Sequence, residues 1–182
     1  MMNITEGPLS GLLILQPRVF KDERGFFYEV FQAERYKDLG IPPFVQDNFS
    51  RSIQNVIRGL HYQLPHPQGK LVYVTRGHVF DVAVDIRKSS PTFGQWFGIH
   101  LTDENHTQLY IPPGFAHGFC TLSDEADFHY KCTEYYFPQG EQGIAWNDSE
   151  LNIAWPVQHP ILSHKDTLLL RLHEHKNDQL FA

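Results

Sequence analysis

Cysteine is scarce in this chain, whose 182 residues include only Cys120 and Cys132. The two do not form a C-x-x-C pair, which excludes a zinc ribbon and a thioredoxin-like redox site. Both lie in segments with the composition of strands, where cysteine usually behaves as a small buried hydrophobic residue. We therefore predict two buried free thiols.

Long apolar runs and an excess of positive charge are also missing. No stretch approaches the roughly 18 apolar residues of a membrane span, and the start, MMNITEGPLSGLLILQP, lacks the basic residues of a signal peptide. A net charge of −6 disfavours nucleic-acid binding, although a local cluster of Arg and Lys could still hold a small anion. These features predict a cytoplasmic protein without a nucleic-acid or membrane partner, and the length favours one domain over residues 1–182.

Helix signals are few. The segment FQAERYKDLG (31–40) predicts a short helix that ends at Gly40, and HKDTLLLRL (164–172) predicts a second one. The last ten residues, HEHKNDQLFA (173–182), have the composition of a polar tail exposed to solvent.

Strand signals dominate the rest of the chain. The segment KLVYVTRGHVFDVAVDIR (70–87) predicts a hairpin around Gly77, and its part VFDVAVDI (79–86) alternates between two faces like a half-buried strand. Turn residues separate such runs at short, even intervals. We predict an all-β fold, a sandwich or small barrel of the jelly-roll type with a few short peripheral helices.

One motif points to a cupin barrel. IPPGFAHGF (111–119) contains P-x-G-x-x-H, which is similar to the second cupin motif, whose His usually binds a metal. The first cupin motif should supply H-x-H and a later Glu, but GLHYQ (59–63) supplies only His61. Since zinc and iron sites need three or four ligands, His61 and His117 alone predict no metal site. HEH (173–175) lies in the tail and is expected in solvent.

His61 without a metal is suited to acid–base chemistry. A neutral imidazole can remove a proton next to a carbonyl, nearby cations can stabilise the enolate oxygen, and a tyrosine on the opposite wall can return the proton. Arg58 and Lys70 flank His61, but strict strand alternation would put Arg58 and His61 on opposite faces. If both serve one site, Gly59 must mark a bulge that resets the register.

The sequence resembles the dTDP-4-dehydrorhamnose 3,5-epimerase family over nearly its whole length. The blocks that carry the resemblance are VFKDERGFFYEVF, FVQDNFSRS, NVIRGLHYQ, QGKLVYVTRGHVFDVAVDIRKSSPTFGQW, QLYIPPGFAHGF, YKCTEYYFPQGEQGIAWND and LSHKD, in this order. The resemblance implies a metal-free cupin-type jelly roll, usually a homodimer. It also implies epimerisation at C3 and C5 of dTDP-4-dehydro-6-deoxy-D-glucose to dTDP-4-dehydro-L-rhamnose, without a cofactor.

The resemblance also implies roles for individual residues. His61 matches the catalytic base, Asp166 the carboxylate that orients it, Tyr130 the acid on the opposite face, and Lys70 the cation beside the C4 oxygen. Tyr136 matches the aromatic residue that stacks on thymine, and Arg58 would bind the pyrophosphate. The other implied substrate contacts are Arg24, Glu29, Gln46, Asp47, Asn48, His117, Glu141 and Lys165.

Three positions depart from the family pattern, and three alternative functions remain open. His129 stands next to Tyr130 where an apolar residue is usual, and Tyr73 and His78 replace charged residues. His129 could alter the acidity of Tyr130, which bears on the balance between C3 and C5 chemistry.

The alternative functions are an epimerase that acts at C3 or C5 only, a metal-dependent cupin such as a dioxygenase or isomerase, and a non-catalytic sugar-nucleotide binder.

Overall fold

The computed structural model describes residues 2–182 and consists mainly of antiparallel strands. Within these residues no helix is long and apolar enough to cross a membrane. The strands are β1 (Asn3–Glu6), β2 (Leu13–Gln16), β3 (Phe20–Asp22), β4 (Gly25–Phe27), β5 (Gln46–Ile53), β6 (Ile57–Gln63), β7 (Lys70–Arg76), β8 (His78–Asp85), β9 (Trp96–Thr102), β10 (Gln108–Ile111), β11 (Phe115–Thr121), β12 (Glu125–Cys132) and β13 (Glu141–Gly143).

Two sheets form a jelly-roll sandwich of the cupin type, which confirms the predicted fold class. One sheet has the strand order β1-β2-β10-β7-β12-β5 and the other the order β13-β6-β11-β8-β9, while β3 and β4 form a separate hairpin. Apolar side chains from both sheets fill the space between them, among them Val72, Val79, Leu109, Phe119 and Phe128. Burial of this inner layer is the main source of the sandwich's stability.

The prediction that the two strands around Gly77 pair as a hairpin is wrong. β7 and β8 follow each other at Gly77, but they belong to different sheets and do not pair. Gly77 has a φ of +81°, and a Cβ there would lie 2.1 Å from the carbonyl oxygen of Glu125. The chain therefore crosses from one sheet to the other at a position that only glycine fits.

Strand β8 is buried on both faces, so the prediction of a half-buried strand is wrong as well. Val79 and Ala83 belong to the inner core, whereas Val82 and Val84 belong to a second apolar layer on the outer face. The C-terminal segment contributes Leu172, Leu180 and Phe181 to this outer layer. A strand covered on both sides loses the contrast between its two faces.

The C-terminal segment packs against the sandwich and is not a solvated tail. Phe181 forms an isolated bridge with Arg87, and the Tyr62 hydroxyl donates to the carbonyl of Gln179 at 2.9 Å. His175 is half-buried and its Nδ1 lies 3.2 Å from the Tyr62 hydroxyl. The prediction of a solvated tail was wrong because the outer face of the five-stranded sheet needs an apolar cover.

The first of the two predicted helices is present, and the second is not. α1 (Ala33–Asp38) lies inside the predicted segment 31–40, and Gly40 follows it with a φ of +76°. The segment 164–172 instead contains a 3₁₀ turn at Asp166–Leu168 and then becomes extended. Leu170 bridges to Ile144 and accepts a hydrogen bond from the amide of Ala145, so pairing with the sheet prevents a continuous helix.

Candidate active site

A cavity of about 450 Å³ lies between the two sheets. Strands β5, β7 and β12 supply side chains from one sheet, and β6 and β11 supply them from the other. The segment around residues 161–166 closes one side. The lining residues are Ser50, Val56, Ile57, Arg58, His61, Lys70, His117, Phe119, Phe128, Tyr130, Ile161, Leu162, Ser163, Lys165 and Asp166.

A bulge in β6 brings Arg58 and His61 to the same cavity. His61 faces His117 on β11 and Arg58 faces Phe119, so three steps on β6 match two on β11. Gly59 lies at this irregularity with a φ of +122°, and a Cβ there would lie 2.6 Å from the Cα of Gly118. The predicted bulge at Gly59 is confirmed, and it explains how a guanidinium and an imidazole three residues apart line one cavity.

His61 is paired with a buried carboxylate. Its Nε2 lies 2.6 Å from Oδ1 of Asp166, and the exposed fractions of the two side chains are 28% and 4%. Burial disfavours the charged form of Asp166, but hydrogen bonds with His61 and Ser163 together hold its pKa below the usual 3.8. An ionised Asp166 accepts a hydrogen bond from the Nε2–H group of His61, which leaves the lone pair on Nδ1 free to take up a proton.

Two further groups with proton chemistry line the same cavity. Burial lowers the pKa of Lys70 from 10.5, and the nearby Cys132, Asp81 and Glu141 partly oppose that effect. Burial likewise raises the pKa of Tyr130 from 10.0, which keeps its phenol protonated at neutral pH. The cavity thus brings together an imidazole, a lysine amine and a protonated phenol.

Arg58 projects toward β5. Its Nε donates to the hydroxyl of Ser52 at 2.9 Å, and its Nη2 donates to the carbonyl of Arg51 at 3.3 Å. These bonds orient the guanidinium at the edge of the cavity, where its remaining N–H groups can bind an anion.

A second His–Asp pair lies deeper in the cavity. Nε2 of His117 is 2.9 Å from Oδ2 of Asp81, and Asp81 is fully buried. The sequence reasoning included His117 but missed Asp81, and it also missed the cavity residues Ser50, Phe119 and Phe128. Asp81 alternates with Val79 and Ala83 on one face of β8. A buried charge in an apolar layer requires a partner, so this pattern could have predicted that Asp81 pairs with a polar group.

A group of polar residues connects the cavity to the protein surface. The Tyr136 hydroxyl donates to Glu141, which also forms an ion pair with Lys165. The backbone amide of Tyr136 donates to the side chain of Gln46 at 2.9 Å, and Gln46 donates to Asn48 at 3.0 Å. Tyr136 itself is 51% exposed, which leaves its ring available for stacking.

Three of the predicted substrate contacts lie outside both the cavity and this polar group. Asp47 forms an ion pair with Lys131 at 2.7 Å, and its side chain is exposed. Arg24 pairs with Asp22 in the β3–β4 hairpin, and Glu29 pairs with Arg35 beside α1. Within one copy of residues 2–182, the structure does not bring Arg24 and Glu29 to the other predicted residues.

Both cysteines are buried and free, as predicted. In the part of the chain that the structure describes, no three His, Cys, Asp or Glu side chains converge in a group that could hold a metal ion.

Comparison with known proteins gives one consistent result. The family model described as dTDP-4-dehydrorhamnose 3,5-epimerase matches residues 6–174. A dTDP-4-dehydrorhamnose 3,5-epimerase of Shigella flexneri is 56% identical over 91% of this chain and 93% of the relative. A dTDP-4-dehydrorhamnose 3-epimerase of Streptomyces niveus is 39% identical over 91% of this chain and 82% of the relative.

A solved structure is similar over the whole chain. It is the dTDP-6-deoxy-D-glucose-3,5-epimerase of Legionella pneumophila in complex with dTDP-4-keto-L-rhamnose. The TM-score is 0.97 at 54% identity, and the match covers 100% of this chain and 98% of the other.

Proposed function

The chain belongs to the dTDP-4-dehydrorhamnose 3,5-epimerase family and is an epimerase of dTDP-linked sugars, and we propose that His61 and Tyr130 carry out its chemistry. The substrate class follows from the relatives, one of which was solved with dTDP-4-keto-L-rhamnose. The observation that carries the proposed mechanism is the His61–Asp166 pair in one cavity with Lys70 and Tyr130.

The proposed reaction begins with proton loss next to the C4 ketone. Nδ1 of His61 takes the proton from C3 or C5, and His61 becomes an imidazolium beside the carboxylate of Asp166. The electron pair of the broken C–H bond forms a double bond to C4, and the π electrons of the C4 carbonyl move to its oxygen, which becomes negatively charged. Lys70 stabilises this enolate, a contribution that is largest in the transition state.

Inversion requires that the proton returns on the other face. Tyr130 donates its phenolic proton to the carbon, and the enolate collapses to the ketone. Tyr130 is left as a phenolate and His61 as an imidazolium, and both return to their starting states by proton exchange with water. The same steps at the second carbon complete the double epimerisation.

The nucleotide is proposed to bind along the polar edge of the cavity. Arg58 would hold the pyrophosphate with its planar fork of donors, and Tyr136 would stack on the thymine. The remaining proposed contacts within this copy are Gln46, Asp47, Asn48, His117, Glu141 and Lys165.

Arg24 and Glu29 are proposed to act in a second copy of the chain. They lie outside the cavity of their own copy, on or next to a hairpin whose Phe26 and Phe27 are 58% and 68% exposed. Large exposed aromatic residues are typical of a surface that a partner covers. A homodimer in which each hairpin reaches the other cavity would give both residues the predicted role.

The remaining features support a single cytoplasmic domain over residues 1–182. Residues 161–166 complete the cavity, and Leu172, Leu180 and Phe181 complete the outer apolar layer. The end of the chain therefore belongs to the same folding unit. Two free thiols fit a reducing compartment.

Proton NMR in D₂O tests the proposal. dTDP-4-dehydro-6-deoxy-D-glucose is incubated with the protein, with and without EDTA. We expect deuterium at both C3 and C5, unaffected by EDTA. Incorporation at one carbon only would assign a single-site epimerase, which the 39% identical 3-epimerase makes the second candidate. Loss of activity with EDTA would support a metal-dependent cupin, and no exchange at all would support a binder.

Two variants test the proposed roles in the same assay. His61→Ala should abolish exchange at both carbons while dTDP still binds. Tyr130→Phe should retain proton loss but impair inversion, most clearly at C5. Normal epimerisation by His61→Ala would overturn the mechanism.

A further inference from the structure

Two histidines meet on the face of the five-stranded sheet that points away from the cavity. Nε2 of His78 on β8 lies 2.8 Å from Nδ1 of His100 on β9. His78 pairs with Thr102 and His100 pairs with Phe80 across the two strands, so the histidines are diagonal neighbours on one face. His100 is exposed to solvent and His78 is half-buried.

The surrounding residues hold both histidines in place. The ring of Phe80 lies 5.2 Å from that of His100, and Trp96 and Trp155 pack edge-on against Phe80. The His78 amide donates to the hydroxyl of Ser123 at 2.9 Å, and the His100 carbonyl accepts a hydrogen bond from Asn105 at 2.9 Å. Such supporting contacts limit the motion of the two rings and lower the entropic cost of binding a shared ligand.

The two nitrogens, now 2.8 Å apart in a hydrogen bond, are close enough to bind one ion together. With metal–nitrogen bonds of about 2.0–2.1 Å, ligands at 90° are roughly 2.9 Å apart, whereas tetrahedral ligands are roughly 3.4 Å apart. Square-planar and tetragonal sites with nitrogen ligands are typical of Cu²⁺ and Ni²⁺, and Cu²⁺ binds such ligands more tightly. We propose that His78 and His100 form a surface site for a late transition-metal ion, with Cu²⁺ preferred.

Binding would replace the hydrogen bond between the rings. Each neutral imidazole would bind the ion through the nitrogen that now faces the other ring and carry its proton on the remaining nitrogen. No third metal-binding side chain completes a cluster in the described residues, so water would occupy the other positions. Asp103, whose charge acts on His78, and the net charge of −6 favour a cation electrostatically.

A titration with Cu²⁺ tests the site. Two of the three tryptophans of the chain, Trp96 and Trp155, lie next to it, so their fluorescence reports a bound ion. At pH 7.5 we expect one equivalent of Cu²⁺ to bind and to quench tryptophan fluorescence, with two nitrogen ligands in the electron paramagnetic resonance spectrum. His78→Gln and His100→Gln should each weaken binding at least tenfold.

Matched variants and competition distinguish this site from other histidines. His159→Gln changes an exposed histidine elsewhere and should leave the titration unchanged, and unaltered epimerase activity of the two site variants shows that they fold. Three results would overturn the proposal: no stoichiometric binding by the unaltered chain, binding that disappears in His173→Gln and persists in the site variants, or binding that dTDP displaces. The last would place the ion in the catalytic cavity.

Discussion

At the scale of single residues, the two His–Asp pairs of the cavity differ in their surroundings. The side chain of His61 is 28% exposed, whereas that of His117 is 8% exposed, and the carboxylate partners are both buried. A base must exchange its proton with solvent after each turnover, which favours His61 for that task. His117 is better suited to orient the substrate by a fixed hydrogen bond.

The pH dependence of the reaction should report the state of Lys70. Because burial lowers the pKa of Lys70 from 10.5, the ammonium loses its proton at a lower pH than a free lysine. Activity should therefore fall as the pH rises through that pKa, and the alkaline limb of kcat/KM should begin below pH 10.5. Lys70→Met should lower kcat by about 10²–10³ at neutral pH, the usual effect of removing one group that stabilises an oxyanion.

Lys70→Arg is the control that identifies the titrating group. Arginine keeps its charge at every accessible pH, so the alkaline limb should move upward even if the rate is reduced. Tyr130 also titrates in alkali, but burial raises its pKa from 10.0. An alkaline limb that is the same in Lys70→Arg and in the unaltered enzyme would assign it to another group.

At the scale of secondary-structure elements, β6 and residues 161–166 together determine the geometry of the site. β6 carries Arg58 and His61, and the segment after Ile161 carries Lys165 and Asp166. Val56 and Ile161 form a bridge between the two elements, and the amide of Ile57 donates to the carbonyl of Ile161 at 3.0 Å. His61 and Asp166 are thus held together by backbone contacts.

Gly59→Ala should disrupt this geometry. Its Cβ would lie 2.6 Å from the Cα of Gly118 and 2.7 Å from the carbonyl oxygen of His117, and both are backbone atoms that cannot move aside easily. We expect the free energy of unfolding to fall by about 2 kcal/mol or more. The rate of C3 and C5 exchange should fall at least a hundredfold, since small displacements of reacting groups have large effects.

Gly40→Ala is the matched control for this substitution. Gly40 also has a positive φ of +76°, but a Cβ there would meet nothing within 4 Å. The variant should lose about 1 kcal/mol of stability and keep its exchange rate. Equal effects of the two variants on activity would show that the bulge at Gly59 does not position His61.

At the scale of the whole molecule, the proposed homodimer explains why Arg24 and Glu29 lie outside the cavity. The outer face of the six-stranded sheet also carries Phe49 and Ile53, which are 57% and 56% exposed. Exposed apolar residues on a sheet face and on a protruding hairpin are typical of a surface that a partner covers.

Mixing two inactive variants should restore activity if each hairpin serves the other copy. In a mixed dimer of Arg24→Ala and His61→Ala, one cavity carries both changes and the other carries neither. Random exchange of subunits should therefore yield about a quarter of the unaltered rate, because half of the dimers are mixed and half of their cavities are intact.

The control for this experiment uses two changes within one cavity. A mixture of His61→Ala and Asp166→Asn should gain nothing, because every cavity then contains one of the changes. If the first mixture also gained nothing after subunit exchange, Arg24 would not act across a dimer.

Several features of the fold and the site could be predicted from the sequence because they depend on local chemistry. Gly40 ends α1 because glycine adopts positive φ without strain, and the need for a bulge at Gly59 followed from the spacing of Arg58 and His61. The ordered blocks also identified the residues that now line the cavity, among them His61, Lys70, Tyr130 and Asp166. Each of these inferences required only short-range geometry or a resemblance in sequence.

The sequence by itself determined the all-β class, the family and the chemical groups of the cavity. Only the tertiary structure decided that β7 and β8 belong to different sheets, that both faces of β8 are covered, and that residues 173–182 pack as part of the outer layer. It also decided that His117 pairs with Asp81 and that Arg24 lies outside its own cavity. The physical reason is that pairing and burial depend on contacts between residues far apart in the chain, which local composition and period do not encode.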